Sequence, residues 1–149
     1  MKNLNWIHKM ITLDSRLLSD CEIIGKFTLS HVLLMRDANY PWLILVPRVA
    51  DIEEIYQLDL EQRSQLLEES CNLAQCLQSE FGAHKLNVAA LGNVVPQLHL
   101  HHIVRMREDA AWPGPIWGAV PPTDYLEKDL NSLKLRLQAA LQGLDIRWR

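Results

Sequence analysis

Apolar and polar positions divide this chain into short, distinct units. From Phe27 to Met35 the segment FTLSHVLLM is dense in apolar and β-branched residues, and the RDANYP that follows is turn chemistry. Trp42 to Val46 (WLILV) is apolar without a break, which suits a central strand covered on both faces, and Pro47 closes it. Two strands joined by so short a polar turn predict an antiparallel hairpin. The longest helical pattern comes next. Asp59 stands at an N-cap position with Gln62 three residues on, a capping-box arrangement. Leu60, Leu67, Cys71, Ala74, Leu77 and Phe81 then share one stripe at helical spacing, and Gly82 ends it. About 22 residues at ~1.5 Å each give a rod of roughly 33 Å. Cys71, on that stripe, reads as buried packing.

Two further strands are predicted at Leu86–Leu91 and Gln97–Arg105, and a second helix from about Asp124 to Leu141. The stripe of that helix is Leu126, Leu130, Leu133, Leu137 and Leu141, with Gly143 just beyond. Between them, residues 108–122 carry Pro113, Pro115, Pro121 and Pro122, which preclude both helix and ladder. This stretch reads as an extended arm packing partly through Trp112 and Trp117, either a plain connector or a wall of a substrate site. The order of elements predicts an α+β fold, a mostly antiparallel sheet of about five strands with the long helix on one face.

Composition narrows the functional classes. A chain of 149 residues fits a single domain over 1–149. With 48% hydrophobic and 22% charged residues it is globular, and no apolar run approaches the ~20 residues of a membrane span. A net charge of −3 is a poor basis for a general nucleic-acid binder. The N-terminal stretch breaks its apolar residues with Asn, His, Lys and Asp, so no secretory signal is expected there. Cys21, Cys71 and Cys76 are odd in number and lack metal spacing, as reduced thiols of a cytoplasmic protein would be.

The candidate chemistry lies in the histidines. Three of the six fall within Gln97-Leu98-His99-Leu100-His101-His102-Ile103-Val104-Arg105. On a strand, Gln97, His99, His101 and Ile103 share one face while Leu98, Leu100, His102 and Val104 share the other. A strand that buries leucines on one side and presents Gln-His-His on the other is no ordinary amphipathic strand. His102, on the apolar face, reads as a core or subunit-contact residue. Adjacent imidazoles suit either a metal or phosphate chemistry, as nucleophile and ligand. The metal reading lacks a further ligand at helical or strand spacing, whereas Asn93, Gln97 and the Asn-Val-Val-Pro turn offer donors for a phosphate.

These residues resemble the signature of the histidine triad (HIT) superfamily of nucleotide hydrolases and transferases, His-φ-His-φ-His-φ-φ with φ apolar. LGNVVPQLHLHHIVR matches that frame with Gln97, His99 and His101 in the three triad positions. The resemblance spans about residues 25–107, including the strand ending in LVPR, the long helix and NVAALG; the arm (108–122) and the helix of about 124–142 lie beyond it. It implies that His99 attacks the α-phosphorus of a nucleotide to give a transient nucleotidyl-histidine, and that His101 bonds a phosphoryl oxygen. Asn87 and Asn93 fall near phosphate-contacting positions, and Asp37 resembles the residue that holds the ribose hydroxyls, or else simply forms its turn. The conjugate cleaved would be of the dinucleoside polyphosphate or nucleoside phosphoramidate type. No cofactor is obligatory and no metal site is implied; a divalent metal would enter only with the substrate. A homodimer is implied, with no nucleic-acid or membrane partner.

Three departures from the pattern matter. Gln97 replaces the first histidine and cannot change protonation state in the working range, so Gln97→His should restore the usual triad. Trp42 stands where many members carry another histidine, which removes a polar partner. His102 replaces an apolar residue. The nucleophile is retained, and that favours an active enzyme. Like-charge repulsion between His99 and His101 favours neutral His99 at pH 7, with His101 able to keep its proton beside a bound phosphate. Two rival readings are a metal-dependent hydrolase using His99, His101 and His102, and a catalytically weak nucleotide-binding module.

Overall fold

A computed structural model describes residues 11–149. The expectation that the chain starts without a leader rests largely on the first ten residues and lies outside the described ones. The elements are α1 (Ser15–Asp20), β1 (Cys21–Lys26), β2 (Ser30–Met35), β3 (Trp42–Pro47), α2 (Leu60–Phe81), β4 (Lys85–Ala89), β5 (Leu100–Arg105), α3 (Glu127–Ala140) and β6 (Arg147–Trp148). The strands form one antiparallel six-stranded sheet in the order β4-β5-β3-β2-β1-β6. The fold is therefore α+β. The β2–β3 hairpin predicted from the sequence forms, with Leu33 opposite Ile44. β3 is buried at every position, as its unbroken apolar run requires. Among the described residues no helix is long and apolar enough to cross a membrane.

β1 and β6 are additional to the predicted strands. β1 carries an irregularity between Ile23 and Gly25 that breaks its alternation, and β6 is only two residues long. The last site strand is also shorter than expected: pairing begins at Leu100, and Gln97 to His99 lead into it.

α2 is capped as expected. The Asp59 carboxylate accepts from the Gln62 N–H while the Gln62 side chain accepts from the Asp59 N–H, and Gly82 ends the helix at φ 60°. Its buried face, however, is Gln62, Leu66, Glu69, Ser70, Leu73 and Leu77, rotated from the predicted stripe. Leu60 and Leu67 are 73% and 65% exposed, and Cys71 is exposed, so the packing role read for that thiol is wrong. Polar residues stand on the buried face because each has a partner. Glu69 accepts from the Leu29 backbone N–H at 2.6 Å and from Gln65, and Ser70 bonds His102 at 2.7 Å.

The sheet has two covered faces. α2 lies on the face bearing Leu98, Leu100 and Val104, and Leu137 and Leu141 of the α3 region join that core. The other face carries Leu33, Trp42, Ile44, Val46 and Ile103, covered by Leu13 and Leu17 from the N-terminal side and Ile116 from the arm. α3 starts at Glu127, three residues later than expected, and Leu126 is exposed.

Candidate active site

The strand alternation predicted for residues 97–105 sends two histidines to one face and the third to the other. His102 is fully buried toward α2. Its Nδ1 lies 3.1 Å from the Leu100 carbonyl, which can only accept, so Nδ1 carries the proton. Nε2 then accepts from the Ser70 hydroxyl at 2.7 Å. His102 is a satisfied core residue, and it cannot join His99 and His101 on one metal ion. Among the described residues no group of three or more His, Cys, Asp or Glu could hold a metal.

His99 and His101 meet edge to face, with ring centroids 4.8 Å apart. Both line a cavity of about 400 Å³ with Arg16, Trp42, Asn93 and Trp117. The orientation of His99 is set by its own strand: Nδ1 lies 2.7 Å from the Gln97 carbonyl and must donate to it. Nε2, bonded by no described residue, keeps its lone pair. A buried imidazole held by one nitrogen and free at the other is the arrangement a nucleophile needs.

His101 is held from the opposite side. The Trp42 indole Nε1–H donates to His101 Nδ1 at 3.0 Å, both side chains being buried. The tryptophan expected to remove a polar partner therefore supplies one. Trp117 closes on the same ring, 5.2 Å from His101 and 6.0 Å from Trp42 between centroids. Burial among these rings, and then the proximity of His99, lower the His101 pKa to about 3. At neutral pH His101 is uncharged. With Nδ1 accepting, its proton sits on Nε2 as a hydrogen-bond donor.

The remaining candidates occupy different places. Asn93 lines the cavity. Gln97, four residues on, does not line it and spends its amide elsewhere: Oε1 accepts from the Asp14 N–H at 2.9 Å and Nε2 donates to the Thr12 carbonyl at 3.0 Å. It fastens the N-terminal segment beside the histidines. Asn87 does not line the cavity; its Oδ1 accepts from Arg105 Nη1 at 2.6 Å. Asp37 is also elsewhere, with Oδ1 accepting from the Asn39 N–H, the Asn39 side chain and the Thr123 N–H. It is a turn carboxylate that ties the β2–β3 hairpin to Thr123, just past the arm.

Sequence reasoning missed Arg16, the one lysine or arginine among the described residues that line the cavity. Arg16 pairs with Asp14 through Nε and Nη2 and bonds the Val94 carbonyl across the cavity mouth. Its guanidinium holds the Asp14 pKa down to about 2. Its partner across the cavity, Val94, lies 78 residues away along the chain, so no local pattern places it there.

An antiparallel sheet with one long helix, and a His-φ-His strand whose two rings share a cavity, define the class. The HIT domain profile matches residues 16–108. The chain belongs to the HIT domain family. It is 52% identical to a histidine triad protein from Marinobacter aquaeolei VT8, covering 91% of this chain and 98% of that one with a TM-score of 0.87. A histidine triad protein from Bradyrhizobium japonicum is 45% identical over 87% of this chain and 96% of its own, with a TM-score of 0.84. A histidine triad nucleotide-binding protein from Sulfolobus tokodaii shares the fold at 14% identity, covering 87% and 90% of the two chains with a TM-score of 0.62. Among curated proteins, none matches the chain significantly.

Proposed function

We propose that this protein binds a nucleotide conjugate in the cavity of His99 and His101 and cleaves it at the α-phosphorus through a covalent nucleotidyl-histidine. The observation that carries this reading is His99 itself, with Nδ1 committed to the Gln97 carbonyl and Nε2 left with its lone pair beside a hydrogen-bond donor. Attack by Nε2 splits one difficult displacement into two easier ones, and water or another acceptor completes the second. His101 Nε2–H stabilises the charge that builds on a phosphoryl oxygen. Arg16 and Asn93 supply further donors at the cavity wall. Trp42 and Trp117 give the nucleoside an apolar, aromatic surface. The enzyme works as a homodimer and needs no resident metal for the covalent step.

The test is a single-turnover reaction with a dinucleoside polyphosphate carrying a labelled α-phosphate, quenched and digested to locate the label. Label on His99 is the expected result. His99→Ala should lose turnover by about a thousandfold or more while AMP still binds. Tight AMP binding without any turnover in the unaltered protein would instead favour a nucleotide-binding module.

A further inference from the structure

Trp42 opens β3 directly opposite Ile103 of β5, and its indole reaches back to His101 Nδ1 at 3.0 Å. An indole nitrogen has a proton to give and no lone pair to offer. His101 therefore cannot take a proton at Nδ1 without breaking this buried bond and setting two N–H groups against each other. Nor can it release the proton on Nε2, since that would leave an imidazolate. The ring is confined to one neutral tautomer.

Neither Gln97 nor the other described groups of the cavity fill the gap. Gln97, in the first triad position, is an amide bound to main chain at both ends. Arg16 holds its protons too firmly to give one up. Burial pushes the Cys21 thiol up to about 12. The Asp20 side chain, which also lines the cavity, makes no hydrogen bond to His99 or His101.

We propose that Trp42 is a positioning residue that restricts this site to leaving groups able to depart without a proton. The inference rests on the covalent reading given above. In the first step the His99 Nε2 lone pair forms the N–P bond while the bond from phosphorus to the leaving oxygen breaks, its electron pair departing with that oxygen as an anion. In the second, a water oxygen bonds phosphorus, the N–P pair returns to Nε2, and the water proton passes to solvent. Phosphate, polyphosphate, carboxylate or an acidic phenolate leaves readily in this way. An amine or a simple alkoxide does not. The substrates are thus nucleotides joined to an acidic oxygen, and nucleoside phosphoramidates of alkyl amines are excluded.

The experiment uses the full chain with adenosine 5′-monophosphate aryl esters whose phenols span pKa values of about 4 to about 10, alongside an adenosine phosphoramidate of a primary alkyl amine. Single-turnover rates should fall a hundredfold or more across the esters, and the phosphoramidate should stay intact. Nitrogen-15 NMR of His101 should show one tautomer, protonated at Nε2, unchanged between about pH 5 and about pH 8. Trp42→Phe, which keeps a ring and removes the donor, should let Nδ1 take up a proton from solvent as Nε2 gives one to the leaving oxygen, bringing in the second tautomer and flattening the ester series. Equal rates for all esters, or cleavage of the phosphoramidate at a comparable rate, would overturn the leaving-group rule and leave the covalent reading standing. A flat series that Asp20→Asn makes steep would assign an acid to Asp20 and overturn it as well. Failure of every ester, the most acidic included, would retire the covalent reading and the rule with it. The NMR arm stands apart from turnover: a His101 protonated at Nδ1 ends the role given to Trp42.

Discussion

A carboxamide offers an acceptor and a donor on one planar group, and Gln97 uses both on the main chain of Asp14 and Thr12. An imidazole cannot place an acceptor and a donor side by side at that spacing. With these bonds in view, Gln97→His loses its rationale as a restored triad. The variant should be destabilised by about 1–2 kcal/mol, one to two net hydrogen bonds, with no gain in turnover. Urea unfolding together with a single-turnover rate checks this, and equal stability with a faster rate would refute it. The two faces of the histidine strand were legible because a period of two is enough to sort His99 and His101 from His102. The partners that decide what each ring does were not. Trp42 lies 59 residues from His101, and the main-chain groups met by Gln97 lie 83 and 85 residues away. Pairing between strands and the return of the N-terminal segment create these contacts, and no sequence spacing announces them.

At the scale of elements, the capping chemistry of α2 was readable at both ends, but the phase of its buried face was not. Leucines and a cysteine were expected inside. Instead Gln62, Glu69 and Ser70 take buried positions, and Leu60 and Leu67 face outward. A buried polar residue is tolerated only with a partner, and the partners, the Leu29 N–H and His102, belong to other elements. The edge strands were illegible for a simpler reason. CEIIGK breaks alternation at an irregularity beside Gly25, and two residues of β6 carry no pattern. Gly25 is needed where it stands: a Cβ there would lie 2.8 Å from the Arg147 carbonyl oxygen and 3.2 Å from the Ile146 side chain. Gly25→Ala should push β6 off the sheet, costing about 1–3 kcal/mol. Hydrogen exchange at Arg147 and Arg149 should then quicken, while exchange in β3 stays as slow as before.

For the molecule as a whole, buried neutral histidines couple stability to pH. Burial lowers the pKa of His101 to about 3, and of His102 and His31 to about 4. In the unfolded chain each titrates near 6.5. As pH falls below about 6.5 the unfolded state binds protons that the native state refuses, so stability falls, by up to about 1.4 kcal/mol per pH unit for each histidine. Above that pH the three contribute no slope. Glu69, pushed up by burial, acts in the opposite direction over part of this window, since its native form holds a proton the unfolded chain has released. The histidines outnumber it, and the net slope keeps their sign. Urea midpoints at about pH 7, 6 and 5 should fall in that order; a midpoint that holds or rises would contradict this account.

The short pairing of β6 with Gly25 and Lys26 also bears on the company the molecule keeps in a crowded solution. An uncovered strand margin is a template onto which any other extended segment can add. Two residues of β6, with a further bond from the Arg149 N–H to the Ile24 carbonyl, occupy the main-chain groups that β1 would otherwise offer to strangers. So small a cover contributes little to folding free energy, and its worth lies in what it keeps off. A chain ending before Arg147 should therefore fold and still scatter light increasingly with concentration and time, as self-association begins along the bared strand.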